Sequence, residues 1–269
     1  YCYVMKTQET YTLITGASMG LGRELATECA RRGQNLLLVA LPGSGLSELR
    51  DELKEDFRHH VECYECDLSH EAELEKLAAW VTENYSVDRL INNAGIGGTL
   101  RFEEADAGYL DTIIHLNIRA TTILSRLLLP ELKRHPSALI MNISSLAAFG
   151  PLPYKTIYPA SKAFIYSFSR GLSRELKDTG VKVVVVAPGP FISNPDVARR
   201  IMKQSFIARL GVLSAREITL KALKGAEKGQ NVIIPGIWNR LNRLLMQLVP
   251  EDIRLSVLSN VLKRELPLK

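Results

Sequence analysis

The stretch TGASMGLG, Thr15 to Gly22, follows the apolar run YTLI and places three glycines where a predicted strand gives way to a predicted helix. Gly16, Gly20 and Gly22 have the spacing G-x3-G-x-G, which differs from the ordinary dinucleotide pattern G-x-G-x-x-G. Glycine makes a tight turn without a Cβ clash and lets a phosphate or a helix backbone approach closely. The free N–H groups of the following helix also attract anions. The stretch therefore predicts a pyrophosphate cradle, with a glycine-rich turn that binds nothing as the alternative.

Apolar strand patterns and helical patterns alternate through the rest of the chain. The predicted strands cover residues 11–15, 35–41, 60–66, 88–92, 137–144, 181–188 and 231–235. The predicted helices are one that ends at Gly33 and those at residues 47–57, 71–84, 105–134 and 159–177. Strands joined by helices of this length pair in parallel with right-handed crossovers. The prediction is an α/β fold: a Rossmann-like, doubly wound parallel sheet of about seven strands with helices on both faces.

The composition sets limits on the class of protein. A chain of 269 residues, 46% hydrophobic, can bury one large core, so we expect a single domain over residues 1–269. The net charge is +5, but the basic residues are scattered among almost as many acids, so we expect a mildly basic surface and no nucleic-acid partner. No stretch approaches the ~20 apolar residues of a spanning helix, and residues 1–10 lack the apolar core of a signal peptide. We therefore expect a cytoplasmic protein.

Four cysteines and five histidines raise the question of redox or metal chemistry. Cys63 and Cys66 lie in a predicted strand, where residues three apart point to opposite faces, so we interpret them as two unlinked thiols. The histidines have none of the spacings typical of metal ligands. We predict neither a disulfide framework nor a metal site.

Three further motifs follow predicted strands or open a helix: NNAG at residues 92–95, NISS at 142–145 and YPASK at 158–162. With TGASMGLG, in this order and separation, they resemble the short-chain dehydrogenase/reductase family over roughly residues 10–235. The resemblance implies a dinucleotide-binding and catalytic core there. After residue 235 the chain departs from many simpler members of the family, and its apolar spacing predicts an amphipathic helical extension at 236–269. The resemblance implies an enzyme, an NAD(P)-dependent oxidoreductase that transfers a hydride between nicotinamide and a carbonyl or alcohol substrate. The alternative is a cofactor-binding regulatory or scaffold protein of the same fold without turnover.

The catalytic prediction centres on Tyr158 and Lys162, which are four residues apart and share one face of a helix. A nearby ammonium favours the phenolate, so we expect Lys162 to lower the tyrosine pKa and make Tyr158 a general acid or base. The resemblance assigns Ser145 to hold the reacting oxygen. Ser144 is the rival, but Ser145 has the family's spacing to the tyrosine. Asn117 matches the family's fourth catalytic residue, which helps a water chain reach the lysine; the alternative is a structural asparagine.

The resemblance also implies which residues contact the cofactor. The predicted cofactor-binding residues are Gly16, Ser18, Met19, Gly20, Leu21, Gly22, Ser44, Asp67, Leu68, Asn93, Ala94, Gly95, Tyr158, Lys162, Pro188, Gly189, Phe191 and Ser193. The Phe191 backbone and the Ser193 hydroxyl are expected to meet the nicotinamide carboxamide. Asp67 is expected either to contact adenine or to cap the next helix.

The end of the second predicted strand bears on the choice of nicotinamide cofactor. NAD-preferring folds place an acid there, whereas this corner is Ala40-Leu41-Pro42 and has no carboxylate to repel a 2′-phosphate. The family's common NADP signal, an arginine, is also absent because Leu41 occupies its position. We predict a preference for NADP(H) over NAD(H), with Ser44 as a phosphate ligand.

The expected substrate mouth consists mostly of apolar or neutral residues, so an apolar carbonyl or alcohol is favoured. These residues are Phe149, Pro151, Leu152, Pro153, Tyr154 and 191–213. In the C-terminal extension, Trp238, Leu241, Leu245 and Leu248 recur at helical spacing. The extension is compatible with docking on its own domain, which we favour, with pairing to another subunit, or with a membrane surface. The resemblance implies a homodimer or homotetramer formed through the helices that contain Asn117 and Tyr158.

Overall fold

Strands of the predicted type form one parallel sheet in the computed structural model, which describes residues 9–192, 211–263 and 266. The strands are β1 (Thr10–Thr15), β2 (Asn35–Ala40), β3 (Val61–Glu65), β4 (Ser86–Asn92), β5 (Ala138–Ile143), β6 (Val181–Val186) and β7 (Val232–Ile233). Their spatial order is β3-β2-β1-β4-β5-β6-β7, and every neighbouring pair is parallel. The predicted Rossmann-like fold is confirmed.

Helices alternate with these strands. In the described ranges they are α1 (Gly20–Arg31), α2 (Leu46–Phe57), α3 (Glu71–Asn84), α4 (Ala107–Ile113), α5 (Thr121–Leu132), α6 (Ile157–Glu175), α7 (Ala215–Glu227), α8 (Ile237–Leu248) and α9 (Glu251–Leu262). The predicted helix at 105–134 is present but not regular, because a π turn (Ile114–Ala120) joins α4 to α5. Short 3-10 turns lie at Phe102–Glu104 and Leu146–Phe149.

An apolar layer covers each face of the sheet, so the central strands are buried on both faces. Ile14 and Leu38 face the layer that contains α1, α2 and α7, whereas Leu13 and Leu37 face the layer that contains α3 and α5. All four side chains are completely buried. The alternation explains why these strands are continuous apolar runs in the sequence.

The two neighbouring cysteines fall on opposite faces of the sheet, as predicted. Cys63 packs against the α1–α2–α7 layer and Cys66 against the α3–α5 layer. Both are free thiols whose pKa values burial raises, to about 11 and about 12. Neither has the lowered pKa of a reactive thiol.

The sheet order places a ligand crevice between β1 and β4. From β1 the chain adds β2 and β3 on one side, then returns to place β4 on the other. Helices leave the carboxyl ends of β1 and β4 on opposite faces at such a point, which leaves a crevice. The glycine loop follows β1 and the NNAG motif follows β4, so both border it.

The C-terminal extension docks on its own domain, as expected, and α8 makes this contact through the side that carries Asn239 and not through its apolar stripe. Trp238 and Leu248 of the predicted apolar stripe are 52% and 79% exposed, whereas Asn239 is only 2% exposed. The apolar stripe therefore does not form the contact with the domain. Polar contacts of Asn239 and Arg243 fix the rotation of α8, as described below.

Candidate active site

The glycine loop has the conformation and the free donors that a pyrophosphate needs. Gly16 and Gly20 adopt φ values of 65° and 56°, which side chains disfavour. A Cβ on Gly22 would lie 1.9 Å from the Gly16 carbonyl oxygen, so helix and loop touch at the backbone. Met19, the N-cap of α1, offers no capping side chain. The N–H groups of the first turn are thus available to an anion, and the residues present fit the cofactor's phosphates.

Side chains from the β4 end hold this loop in place. The Asn93 amide donates to the Thr15 and Gly16 carbonyls at 2.9 and 3.0 Å. The Thr15 hydroxyl accepts from the backbone N–H groups of Asn93 and Ala94 at 3.0 and 3.1 Å. Thr15 is a contact that the sequence analysis missed, although it opens the quoted motif.

The structure places the Ser145 hydroxyl close enough to Tyr158 to lower the pKa of the phenol. Tyr158 lies in the first turn of α6, and Ser145 follows β5, where its hydroxyl also accepts from the Ala147 N–H at 3.1 Å. Ser144 is buried, and its hydroxyl donates to the Lys162 carbonyl at 2.7 Å. The geometry thus separates the two rival serines: one meets the phenol and the other holds the helix.

Lys162 lies one turn beyond Tyr158 on the inner face of α6. Its Nζ donates to the Ile143 carbonyl at 3.0 Å and lies 5.8 Å from the centre of the Tyr158 ring. The residue is only 5% exposed. The ammonium is therefore fixed at the end of β5, beside the crevice.

The predicted direction of the tyrosine pKa is wrong for this geometry. Burial raises the pKa of Tyr158 above its ordinary 10.0, and the nearby Ser145 hydroxyl offsets this rise only in part. Burial lowers the pKa of Lys162 to about 8. The lysine therefore carries a proton that it can lose near neutral pH.

Asn117 lies within the π turn, and its side chain hydrogen-bonds both to the loop after β4 and to α6. Its side-chain oxygen accepts from the Ile96 N–H, and its amide donates to the Ile96 carbonyl, each at 2.9 Å. The amide also donates to Ser161 at 2.9 Å, and Ser161 donates to the Tyr158 carbonyl at 2.7 Å. A π turn in a helix commonly marks a functional position. A Cβ on Gly95 would lie 2.9 Å from Asn117 Oδ1 and 3.2 Å from Lys162 Nζ.

Gly97 is a second residue that the sequence analysis missed. A Cβ at this position would lie 2.3 Å from Cδ2 of Tyr158. The loop after β4 therefore packs its bare backbone on the face of the phenol ring. The sequence signal was that Gly97 is the second glycine of GIGG at residues 95–98, two residues beyond the end of the NNAG motif.

The remaining predicted cofactor residues have varied surroundings. Ser18 is half-buried in the loop, Met19 is exposed and Leu21 is buried. The Ser44 hydroxyl is buried without a hydrogen-bond partner. Leu68 belongs to the core layer of α3 and α5.

Asp67 closes a turn rather than capping a helix. One of its carboxylate oxygens accepts from the Ser69 N–H at 2.9 Å. The N-cap of α3 is His70, so the helix-cap alternative is wrong. The adenine contact stays a prediction.

The segment after β6 contacts both the catalytic turn and the C-terminal extension. The Pro188 carbonyl accepts from the Leu146 N–H at 2.7 Å, and Phe191 forms a backbone bridge with Leu213. A Cβ on Gly189 would lie 2.4 Å from Asn239 Oδ1. Ser193 lies outside the described residues.

The C-terminal extension is thus part of the site's surroundings, which its apolar pattern did not indicate. Asn239 donates to the Gly211 and Pro235 carbonyls at 3.0 and 2.8 Å. The Arg243 guanidinium lies over the Phe149 ring at 4.3 Å, and Phe149 ends the turn that starts after Ser145.

An open groove of about 480 Å³ lies between Pro153 and α9. It is lined by Pro153, Leu255, Ser256, Ser259 and Asn260. One residue of the predicted substrate mouth, Pro153, therefore faces the C-terminal extension. Within the described ranges, no three His, Cys, Asp or Glu side chains meet as metal ligands would.

A phenol, an ammonium and a hydroxyl lie beside a nucleotide crevice. These groups suit an oxidoreductase that transfers both a hydride and a proton in one reaction. The family model for short chain dehydrogenases matches residues 10–204, and this chain belongs to that family. It is an oxidoreductase that exchanges a hydride between a nicotinamide cofactor and a carbonyl or alcohol. The enzyme class predicted from the motifs is confirmed.

Relatives extend the similarity over most of the chain. The oxidoreductase DltE of Bacillus subtilis is 31% identical over 85% of this chain and 89% of its own. The very-long-chain 3-oxoacyl-CoA reductase of Kluyveromyces lactis is 33% identical over 67% of this chain, but the match covers 55% of that protein. The bulky-bulky ketone specific alcohol dehydrogenase of Comamonas testosteroni is 31% identical, with a TM-score of 0.76 over 90% and 94% of the two chains. A short-chain dehydrogenase of Sphingobium yanoikuyae in complex with NADPH has the same identity and TM-score, over 89% and 94%.

Proposed function

We propose that the protein reduces apolar ketones, or oxidises the matching alcohols, with Tyr158 as the general acid or base. The observation that carries the proposal is that Lys162 Nζ, held at the end of β5 by the Ile143 carbonyl at 3.0 Å, lies 5.8 Å from the centre of the Tyr158 ring. When bound, the nicotinamide supplies or accepts the hydride. Tyr158 gives its phenolic proton to the substrate oxygen, and Ser145 donates a hydrogen bond to that oxygen as negative charge develops on it.

Lys162 returns a proton to Tyr158 after the phenol has protonated the substrate oxygen. Its ammonium is held at the end of β5, and its pKa of about 8 lets it exchange a proton near neutral pH. Asn117 and Ser161 hold the first turn of α6 in register with the β4 loop. We propose that Asn117 also supports the water chain that returns a proton to Lys162.

We further propose that the protein prefers NADP(H) to NAD(H). Leu41 stands at the end of β2 and is 55% exposed, so no carboxylate there repels a 2′-phosphate. The unpartnered Ser44 hydroxyl precedes α2, whose N-cap Gly45 has no capping side chain. Hydroxyl and helix N-terminus together offer donors to a phosphate. Tighter binding of NADH than of NADPH in a fluorescence titration would contradict this preference.

The proposal of an apolar substrate rests on the residues around the mouth. Phe149 and Tyr166 pack edge to face at 4.9 Å beside the catalytic turn. The alcohol dehydrogenase of Comamonas testosteroni is described as specific for bulky-bulky ketones, and the Kluyveromyces lactis protein acts on very-long-chain 3-oxoacyl-CoA. Both descriptions favour a large lipophilic carbonyl compound here.

The test is reduction of ketones of increasing chain length, with NADPH and with NADH, followed by the absorbance of the reduced cofactor. Tyr158→Phe should lose at least about 10²-fold in kcat, because a proton donor contributes that much. Ser145→Ala should lose a similar factor, since it removes an oxyanion donor. Ser144→Ala is the matched control and should retain far more activity. Full activity of Tyr158→Phe would refute the role of the phenol, and cofactor binding without turnover would favour the regulatory alternative.

We also propose a cytoplasmic homodimer or homotetramer formed through the helices that carry Asn117 and Tyr158. Phe164 on α6 is 42% exposed and stacks on Phe168, and Ile114 in the π turn is 41% exposed. Light scattering on the protein and on Phe164→Ser tests this contact. A monomeric parent protein would contradict the assembly, and cell fractionation tests the location.

A further inference from the structure

The exposed side of α8 is an apolar surface that the catalytic site does not use. Ile237, Trp238, Leu241, Leu244, Leu245 and Leu248 are each 43% to 79% exposed, and Val249 follows at 41%. Seven large apolar side chains, each about half exposed, thus lie together along one helix. Contiguous apolar patches of several hundred Å² mark sites that bind a partner or a membrane.

The rotation of α8 is fixed by polar contacts, so this exposure is built into the fold. Asn239 is buried against Gly189 and donates to two carbonyls. The Arg243 guanidinium packs on Phe149, and Arg240 donates to the Ile234 carbonyl at 2.9 Å. Turning the leucines inward would break all of these contacts and bury charge.

The shape and charge of this side favour a lipid surface. The six side chains on α8 span about 120° of the helix circumference, which is broader than the narrow seam of a helix pair. Residues 237–248 contain two arginines and no carboxylate. Arg243 packs on Phe149, whereas Arg240 is exposed beside the stripe, where anionic headgroups would attract it. Beyond the helix, Glu251 is paired with Arg254 at 3.2 Å and Asp252 is exposed. Trp238 at the edge of the stripe suits the headgroup level.

The geometry points to α8 as a docking helix that lies in the surface of an anionic bilayer. Twelve residues of helix are about 18 Å long, too short for a hydrocarbon core of about 30 Å. In the described part of the chain, no helix is both long enough and apolar enough to cross a membrane. The helix therefore lies in the surface plane. Because Arg243 packs on the turn after Ser145, docking would also hold the substrate side of the molecule near the lipid.

The experiment is flotation of the full chain with vesicles of phosphatidylcholine alone and with added phosphatidylserine. We expect flotation with the anionic vesicles, weakened by salt. The double variant Leu244→Ser, Leu248→Ser should bind about 100-fold more weakly, because binding scales with the apolar area inserted. Leu220→Ser is the matched control: Leu220 is 37% exposed on α7, and this variant should float like the parent protein. No outcome depends on turnover, so failure here is distinct from failure of the proposed reaction.

Tryptophan fluorescence gives a second readout. The chain has two tryptophans, and Trp80 is packed between Tyr64 and Tyr85 at 5.0 and 4.9 Å. A blue shift with anionic vesicles therefore reports Trp238, and Trp238→Phe should abolish the shift while retaining most of the flotation. Absence of flotation, or equal flotation of the double variant, would overturn the inference. Self-association of the parent protein that the double variant loses, without vesicle binding, would identify the occupant as a second copy instead.

Discussion

Gly97→Ala is a small change that should impair catalysis, because the loop backbone packs on the phenol ring. The new Cβ would lie 2.3 Å from Cδ2 of Tyr158, 2.8 Å from Cγ and 2.9 Å from Cε2. Carbon atoms pack at about 3.5–4.0 Å, so the ring or the loop must move by about 1 Å. The backbone of Gly97 is outside the left-handed region, so alanine meets no conformational penalty there. The steric clash with Tyr158 is therefore the effect that we expect of this substitution.

A shift of about 1 Å in a reacting group costs about 10²-fold in rate. We therefore expect kcat for ketone reduction to fall by about that factor, while NADPH affinity stays close to that of the parent protein. Overpacking of this kind also costs about 1–3 kcal/mol of unfolding free energy, which a urea melt measures. The loss of kcat should exceed any loss explained by unfolded protein.

Two alanine substitutions serve as controls. Gly171→Ala lies on α6, the helix that carries Tyr158, and its Cβ would meet nothing within 4 Å. It should keep full activity and gain stability. Gly98→Ala would meet the hydroxyl of Tyr109 at 2.6 Å, a flexible side-chain end outside the catalytic set. If Gly97→Ala has the same kcat as Gly171→Ala, the loop does not position the phenol and the reasoning is refuted.

Three further predictions concern the lysine, the glycine loop and the buried amides. Burial lowers the pKa of Lys162 to about 8 from 10.5, so between these pH values the folded protein sheds the proton that the unfolded chain keeps. Unfolding free energy should therefore rise with pH across this window by up to about 3 kcal/mol, and Lys162→Met should lack that rise in urea melts at both ends. Gly22→Ala would place a Cβ 1.9 Å from the Gly16 carbonyl oxygen and should abolish NADPH binding in a fluorescence titration, whereas unchanged affinity would contradict the cradle. Asn142→Leu removes the acceptor of a 2.8 Å bond from the Asn92 amide and should lower the unfolding free energy by about 1–3 kcal/mol or more in urea. A loss below that range would mean that the Ser125 hydroxyl, which also accepts from the Asn92 amide at 3.1 Å, satisfies that amide without Asn142.

The periodicity of the apolar residues predicted the bounds of helices and strands well where nearby residues determine those bounds. The predicted helix at 71–84 is α3 (Glu71–Asn84), and the strand predicted at 181–188 contains β6 (Val181–Val186). The extent of the helix at 105–134 was predicted to within two residues at each end. Its π turn was not, because one extra residue in a turn leaves no apolar signature.

The predictions failed where a side chain's partner comes from a distant segment. Helical spacing identified the stripe of α8, but spacing alone does not say which side of a helix meets the domain. The contacts that decide it, from Asn239 to Gly211 and from Arg243 to Phe149, join residues far apart in the sequence. The same limit applies to the pKa of Tyr158, because its burial arises from the fold and not from the Y-x-x-x-K spacing.

Two glycines of the loop after β4 lie against the catalytic residues, and the sequence motifs alone do not show this contact. Gly95 lies against Asn117 and Lys162, and Gly97 lies against Tyr158, so the loop after β4 fits between the π turn and α6. A side chain at either position would push these elements apart. The loop can therefore fit between the two helices and the phenol only because these two positions have no side chain. The Asn117 side chain then holds the loop by hydrogen bonds to the N–H and the carbonyl of Ile96. This makes the NNAG segment a structural spacer for the proton-transfer residues as well as a border of the cofactor crevice.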